Sequence, residues 1–118
     1  MEVRRFDDAK TYVAPNHRDY VSYRLFGAEA GGPSQFIVVC SHFLPGGGAG
    51  PDSSPNEKVY VCLAGEITIV AGGREAVLRP NDSVYLAPNE VREIANRSHH
   101  PATIVAVMNV LRNDGARG

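Results

Sequence analysis

Gly and Pro recur about every eight to twelve residues along this chain, and the runs between them are long enough for strands but too short for packed helices. "DYVSYRLFG" and "SQFIVVCSHFL" are parted by "AEAGGP"; "KVYVCLAG" leads into "EITIV", which ends in the tight hairpin signal "AGG". "REAVLRP", "DSVYLAP", "EVREIAN" and "PATIVAVMNVL" follow. Most of these runs are rich in Val, Ile, Tyr and Phe and alternate between apolar and polar residues, as half-buried strands do. No window carries a helical stripe, and "FDDAKTYV" offers one short turn at most. The expected fold is all-β, one domain over residues 1–118, with residues 1–18 as an N-terminal arm and 112–118 as a frayed polar tail.

The charge balance removes several function classes. Twelve basic against thirteen acidic residues give a net charge of −1, without the basic footprint of a nucleic-acid or anionic-membrane partner. No apolar run reaches the roughly 20 residues of a membrane span, and "MEVRRFDDAK" has no signal-peptide core, so a cytoplasmic location is expected. Cys40 and Cys62 lie in separate apolar runs with no C-x-x-C spacing, and are expected to stay reduced. The Gly46–Gly50 run lacks the strand–loop–helix setting and the Gly-Lys-Ser/Thr of a phosphate loop, and reads as a flexible corner.

Two separated stretches carry more information. In "PGGGAGPDSSPNEKVYVCLAGE", a glycine turn is followed by Asp52 and Ser54, then Lys58, then a strand closing on Gly65-Glu66. In "NDSVYLAPNEVREIAN", Arg92 precedes Asn96 by four residues. Together they resemble the two motifs of the cupin family, in their order and separation, over roughly residues 20–110. The resemblance implies an antiparallel jelly-roll β-barrel, commonly a homodimer. The family's metal ligands are histidines and a glutamate. Their positions fall on Asp52, Ser54, Lys58 and Arg92, so the resemblance implies a site from which the metal chemistry has been removed. No metal and no other cofactor is expected here, because Lys and Arg repel a divalent cation and Ser offers only a weak neutral oxygen.

Residues two apart on a strand share a face. Asp52 with Ser54, Lys58 with Tyr60 and Cys62, and Arg92 with Ile94 and Asn96 are therefore grouped, and the family geometry would bring Asp52, Ser54, Lys58 and Arg92 together. One reading is an inert plug in which Asp52 bridges the two cations, but burying several charges is costly without excellent geometry. The other is a site for a small anionic metabolite. Arg92 offers a planar fork to a carboxylate, Lys58 a point charge, and Asp52 a proton partner for a lysine whose pKa desolvation lowers. The candidate catalytic residues are Lys58, Asp52, Arg92 and His42; the candidate substrate-binding residues are Arg92, Lys58, Ser54, Tyr60 and Asn96. His42 is included because alternation groups it with Val38, Cys40 and Leu44 on a face expected to line the barrel. His99 and His100 point to opposite sides of an extended chain, and His17 is too isolated to interpret. The expected function is metal-independent acid–base chemistry of an isomerase, cyclase or lyase on a carboxylate or keto substrate. The alternative is a non-catalytic metabolite-binding or structural dimerisation barrel.

Overall fold

The strand that organises the molecule is seventeen residues long and contains the glycine run. In the computed structural model, which describes residues 1–111, nine strands follow a short 3-10 turn at Phe6–Asp8. They are β1 (Lys10–Tyr12), β2 (His17–Phe26), β3 (Phe36–Asp52), β4 (Lys58–Ala64), β5 (Ile67–Ala71), β6 (Arg74–Leu78), β7 (Ser83–Leu86), β8 (Arg92–Ala95) and β9 (Ala102–Asn109). A second 3-10 turn, Ala28–Ala30, links β2 to β3. Residues 112–118, where the polar tail was placed, lie outside the described residues.

All pairings are antiparallel, in the order β6-β5-β8-β3-β9-β4-β7, with β2 also on β3 and β1 on β2. The first part of β3, Phe36–Phe43, pairs with β9; its last part, from Gly48, pairs with β8; β2 runs beside both. One strand thus serves two layers, and the result is a nearly closed antiparallel barrel, the fold class expected from the sequence.

The glycine run is not a flexible corner but part of this ladder, and close backbone approach explains its composition. A Cβ on Gly48 would sit 2.0 Å from the Ile94 carbonyl oxygen. Gly50 adopts φ +81°, and a Cβ there would lie 2.6 Å from the Arg92 carbonyl oxygen and 2.9 Å from its Nη1. Only glycine lets β8 come this close.

The interior is filled by inward side chains of both layers, including Phe43, Ile67, Leu86, Ile94 and Ile104, all at most 2% exposed. Burial of this apolar surface drives closure, at roughly 25 cal/mol per Å². Alternation on β4 is as read: Lys58, Tyr60 and Cys62 are buried, while Val59 and Leu63 face outward. On β3 the register is the opposite of the one expected. Ile37, Val39, Ser41 and Phe43 line the interior, and His42 faces away. The outer face is also covered there, since His42 packs edge-on to Phe6 and Tyr23. With both sides covered from Ile37 onward, "IVVC" is apolar at every position and alternation has nothing to report. Among the described residues no helix is long and apolar enough to cross a membrane.

Candidate functional site

A cavity of about 290 Å³ enters the barrel between β3, β4 and β8. Its volume lies near the lower end for ligand sites, enough for a metabolite of monosaccharide size. Asp52, Ser54, Lys58, Tyr60 and Arg92 line one end; Ile37, Val39, Phe43, Ile104 and Met108 make apolar walls; Tyr12 and Arg24 lie further along. A narrower recess of about 40 Å³ is enclosed by Asp52, Ser53, Ser54, Lys58 and Arg92 alone.

Strand pairing explains the convergence. Asp52 ends β3 opposite Arg92, the first residue of β8, and Lys58 opens β4 opposite Leu86 and Met108. Lys58 Nζ donates to Ser54 Oγ at 2.9 Å and to the Asn56 carbonyl at 3.4 Å, leaving one of its three N–H groups for a ligand. Burial lowers the Lys58 pKa from its ordinary value, and the neighbouring Arg92 charge lowers it further; Asp52 and Glu90 act in the opposite sense. Arg92 Nε donates to the Tyr60 hydroxyl at 2.9 Å, which fixes the plane of the guanidinium. Its Nη1 is buried against Gly50 and has no acceptor among the described residues. Tyr60, itself 3% exposed, has its phenol pKa raised by desolvation and partly restored by Arg92.

Asp52 behaves differently from its role in the plug. Its side chain is exposed, Oδ1 accepts the Ser53 amide at 2.8 Å, and among the described residues it forms no ion pair with Lys58 or Arg92. The two cations are therefore left without a carboxylate partner at the cavity wall. The donor set does not fit a divalent cation, since two of the four family positions are themselves cationic. Among the described residues no group of three His, Cys, Asp or Glu side chains is clustered for a metal.

Two candidate residues lie elsewhere. His42 Nδ1 is 2.8 Å from Thr103 Oγ1 on the outer face of β3, so it is not beside Arg92. Asn96 shares the Arg92 face but is 1% exposed and lies deeper, beyond the cavity. Its Nδ2 donates to the Phe43 and His100 carbonyls, and its Oδ1 accepts from the Ser98 amide and hydroxyl. All of its hydrogen-bonding capacity is spent on stapling three backbone segments, which leaves nothing for a substrate.

Three cavity residues escaped the sequence reading. His17 lines the cavity at the start of β2. Asp19, at φ +47°, forms a bulge between Arg18 and Tyr20 that breaks the two-residue period. His17 and Tyr20, three apart, consequently share a face with ring centroids 5.0 Å apart. Arg24 enters from near the end of β2 with its guanidinium 4.4 Å above the Tyr12 ring, and its Nη1 donates to Glu29 at 3.0 Å. Nothing in "RLFG" sets Arg24 apart from a surface arginine. Tyr12 belongs to β1, a three-residue strand too short to register as a pattern.

Comparison with known proteins agrees with this architecture. Residues 39–108, more than half of the chain, match the Cupin domain family model. A protein named Beta-D-galactosidase Rv1717, from Mycobacterium tuberculosis (strain ATCC 25618 / H37Rv), is 41% identical over 108 residues, covering 92% of this chain and 93% of that one. Among solved structures, the polyketide cyclase RemF from Streptomyces resistomycificus superposes with a TM-score of 0.82 at 17% identity, over 95% of this chain and 81% of that one. A cupin-superfamily sugar phosphate isomerase from Silicibacter pomeroyi gives 0.78 at 22% identity, over 93% and 76% respectively. Family match and barrel agree: the chain belongs to the cupin family.

Proposed function

We propose that this barrel is a metal-independent enzyme that moves protons on a small, oxygen-rich substrate carrying a carboxylate or carbonyl group. The observation that carries the reading is the set of cations at the cavity wall. Lys58 keeps one N–H free and Arg92 is held edge-on by Tyr60, while Asp52 neutralises neither. Desolvated donors of this kind stabilise an oxyanion as it forms, and their effect is greatest where water is excluded. The apolar walls accept the carbon skeleton, and Ser54, fixed as an acceptor from Lys58, keeps its own O–H to donate.

A specific relative favours a second reading, hydrolysis of a β-D-galactoside. Such reactions ordinarily use two carboxylates about 5–10 Å apart flanking the glycosidic oxygen. Among the described residues lining the cavity, Asp52 is the sole carboxylate. A galactosidase built here would therefore need its second proton-transfer group from a different residue type. The third reading, a binding barrel without turnover, uses the same residues. Pairing of two copies belongs to the proposal as well, supported by exposed Phe36, Val59 and Tyr85 gathered on one outer face; sedimentation of the purified chain tests it.

The deciding experiment incubates the protein with sugar acids, 2-keto acids and a chromogenic β-D-galactoside, and follows conversion by NMR and absorbance. Lys58→Met and Arg92→Met are expected to lower turnover of the accepted substrate by at least about 100-fold while remaining folded. Cleavage of the galactoside alone would move the assignment to the second reading. Thermal stabilisation without conversion of any compound would move it to the third.

A further inference from the structure

His17 is the cavity residue whose chemistry the site has not yet used. Its ring stands between Tyr20, at 5.0 Å, and Phe43, at 6.1 Å with an interplanar angle of 21°. Nδ1 lies 2.7 Å from the Pro15 carbonyl oxygen. A carbonyl can only accept, so Nδ1 carries the hydrogen, and in the neutral ring Nε2 is left with its lone pair. Among the described residues no group bonds Nε2. The chain thus fixes both the plane of this imidazole and its tautomer, and presents a single unoccupied basic nitrogen at a ligand cavity.

We propose that His17 is a catalytic acid–base residue of this site, its Nε2 taking a proton from the bound substrate and returning it at a neighbouring atom. The inference rests on the proposed proton-transfer function and assigns the base that reading lacked. In the simplest step the C–H bond beside the substrate carbonyl breaks and an N–H bond forms at Nε2. The electron pair left on carbon becomes a C=C bond as the carbonyl oxygen takes up negative charge, next to Lys58 and Arg92. Return of the proton to the oxygen completes a tautomerisation to the enol, return of a solvent-exchanged proton to the same carbon completes hydrogen exchange, and no oxidant or reductant is consumed.

The groups facing His17 suit this role. Arg92 on β8 and Arg18 on β2 disfavour its protonation, Asp52 at the end of β3 favours it, and the Pro15 carbonyl supports the Nδ1 hydrogen. Desolvation is the largest influence, and the net effect lowers the pKa below its ordinary value, so the ring is neutral and basic at pH 7. Tyr20 does not compete for the ring, because its hydroxyl is committed to the backbone of Ala14.

Two measurements test the assignment. In the first, α-deuteration of 2-oxobutyrate in D2O is followed by proton NMR for the wild type, His17→Gln and Arg92→Met. His17→Gln is expected to lower the protein-catalysed rate at least about 100-fold with little change in KM and to abolish the acidic limb of the pH profile. Unchanged exchange in a folded His17→Gln protein overturns the inference while the proposed function stands. Absence of catalysed exchange in the wild type counts against the proposed function, and the second measurement then decides His17 independently. Ring nitrogen-15 NMR of the wild type at pH 7.5 should show the Nδ1–H tautomer, with the Nε2 resonance moving on addition of D-galacturonate. A predominant Nε2–H tautomer, or an Nε2 signal indifferent to the added acid, overturns it.

Discussion

Replacing Asn96 by Ala separates a structural staple from a ligand-binding group. The substitution removes both Nδ2 donations and both Oδ1 acceptances. The Phe43 carbonyl is the expensive loss, because Phe43 is 0% exposed and water cannot replace the donor. An unmet buried acceptor costs about 1–3 kcal/mol, and the three bonds nearer the surface about 0.5 kcal/mol each once solvent substitutes in part. The sum is about 2.5–4.5 kcal/mol, a large fraction of the roughly 5–15 kcal/mol available to a domain. At about 4 °C per kcal/mol for a chain of this size, the melting temperature should fall by about 10–18 °C. Circular dichroism melts and urea titration measure it, with the urea midpoint moving and its slope unchanged. Ligand affinity per folded molecule, measured well below the transition, should stay within about twofold. Asn96→Asp keeps the acceptors for Ser98 but sets carboxylate lone pairs against two carbonyls, and should fall at least as far. A melt within about 3 °C of wild type combined with weakened binding would refute the staple and return Asn96 to the substrate.

Other perturbations follow from the same contacts. Lys58→Met should raise the melting temperature at pH 7 by about 4 °C, since engineered removal of a strained functional group commonly yields about 1 kcal/mol. The sign follows from the lowered pKa: the folded chain holds the Lys58 proton less tightly than the unfolded one, so the penalty is felt below the folded pKa. It fades as pH rises towards the ordinary 10.5, and wild type and variant should converge there. His17 also has a lowered pKa, so wild-type stability should be full above 6.5 and decline as pH falls through the folded value. The decline should be shallower in His17→Gln. Gly50→Ala forces a Cβ against the Arg92 carbonyl and Nη1 at a φ of +81°, and should lower stability by about 1–3 kcal/mol while weakening ligand binding. Manganese, nickel or zinc ions at millimolar concentration should leave the wild-type melt unchanged within about 1 °C; a rise of several degrees would contradict the donor-set argument.

The fold was legible because short alternating strands and turn residues report directly on local geometry. The strands placed over "KVYVCLAG", "EITIV" and "REAVLRP" begin and end close to β4, β5 and β6. Legibility failed where long-range contact overrode local pattern. "GGGAG" joins a ladder because β8 needs backbone without side chains, a fact located more than forty residues downstream. The convergence of Asp52, Ser54, Lys58 and Arg92 was legible only through the resemblance to the cupin motifs, which implies it. The facing of His42 was not, because "IVVC" is covered on both sides, and His17 was hidden by a bulge that Asp19 does not announce.

β3 carries the floor of the cavity at Ser41 and Phe43, and its rim at Asp52, on one unbroken strand. The depth of the chamber is thereby a fixed gauge: insertion or deletion between positions 44 and 51 would slide floor and rim together out of step with both flanking strands. Diversification of client molecules is steered away from this wall and towards the loops that open β2 and β8, where His17 and Arg92 are delivered. Those two entrances are where altered substrate choice should be sought, by selection or by engineering.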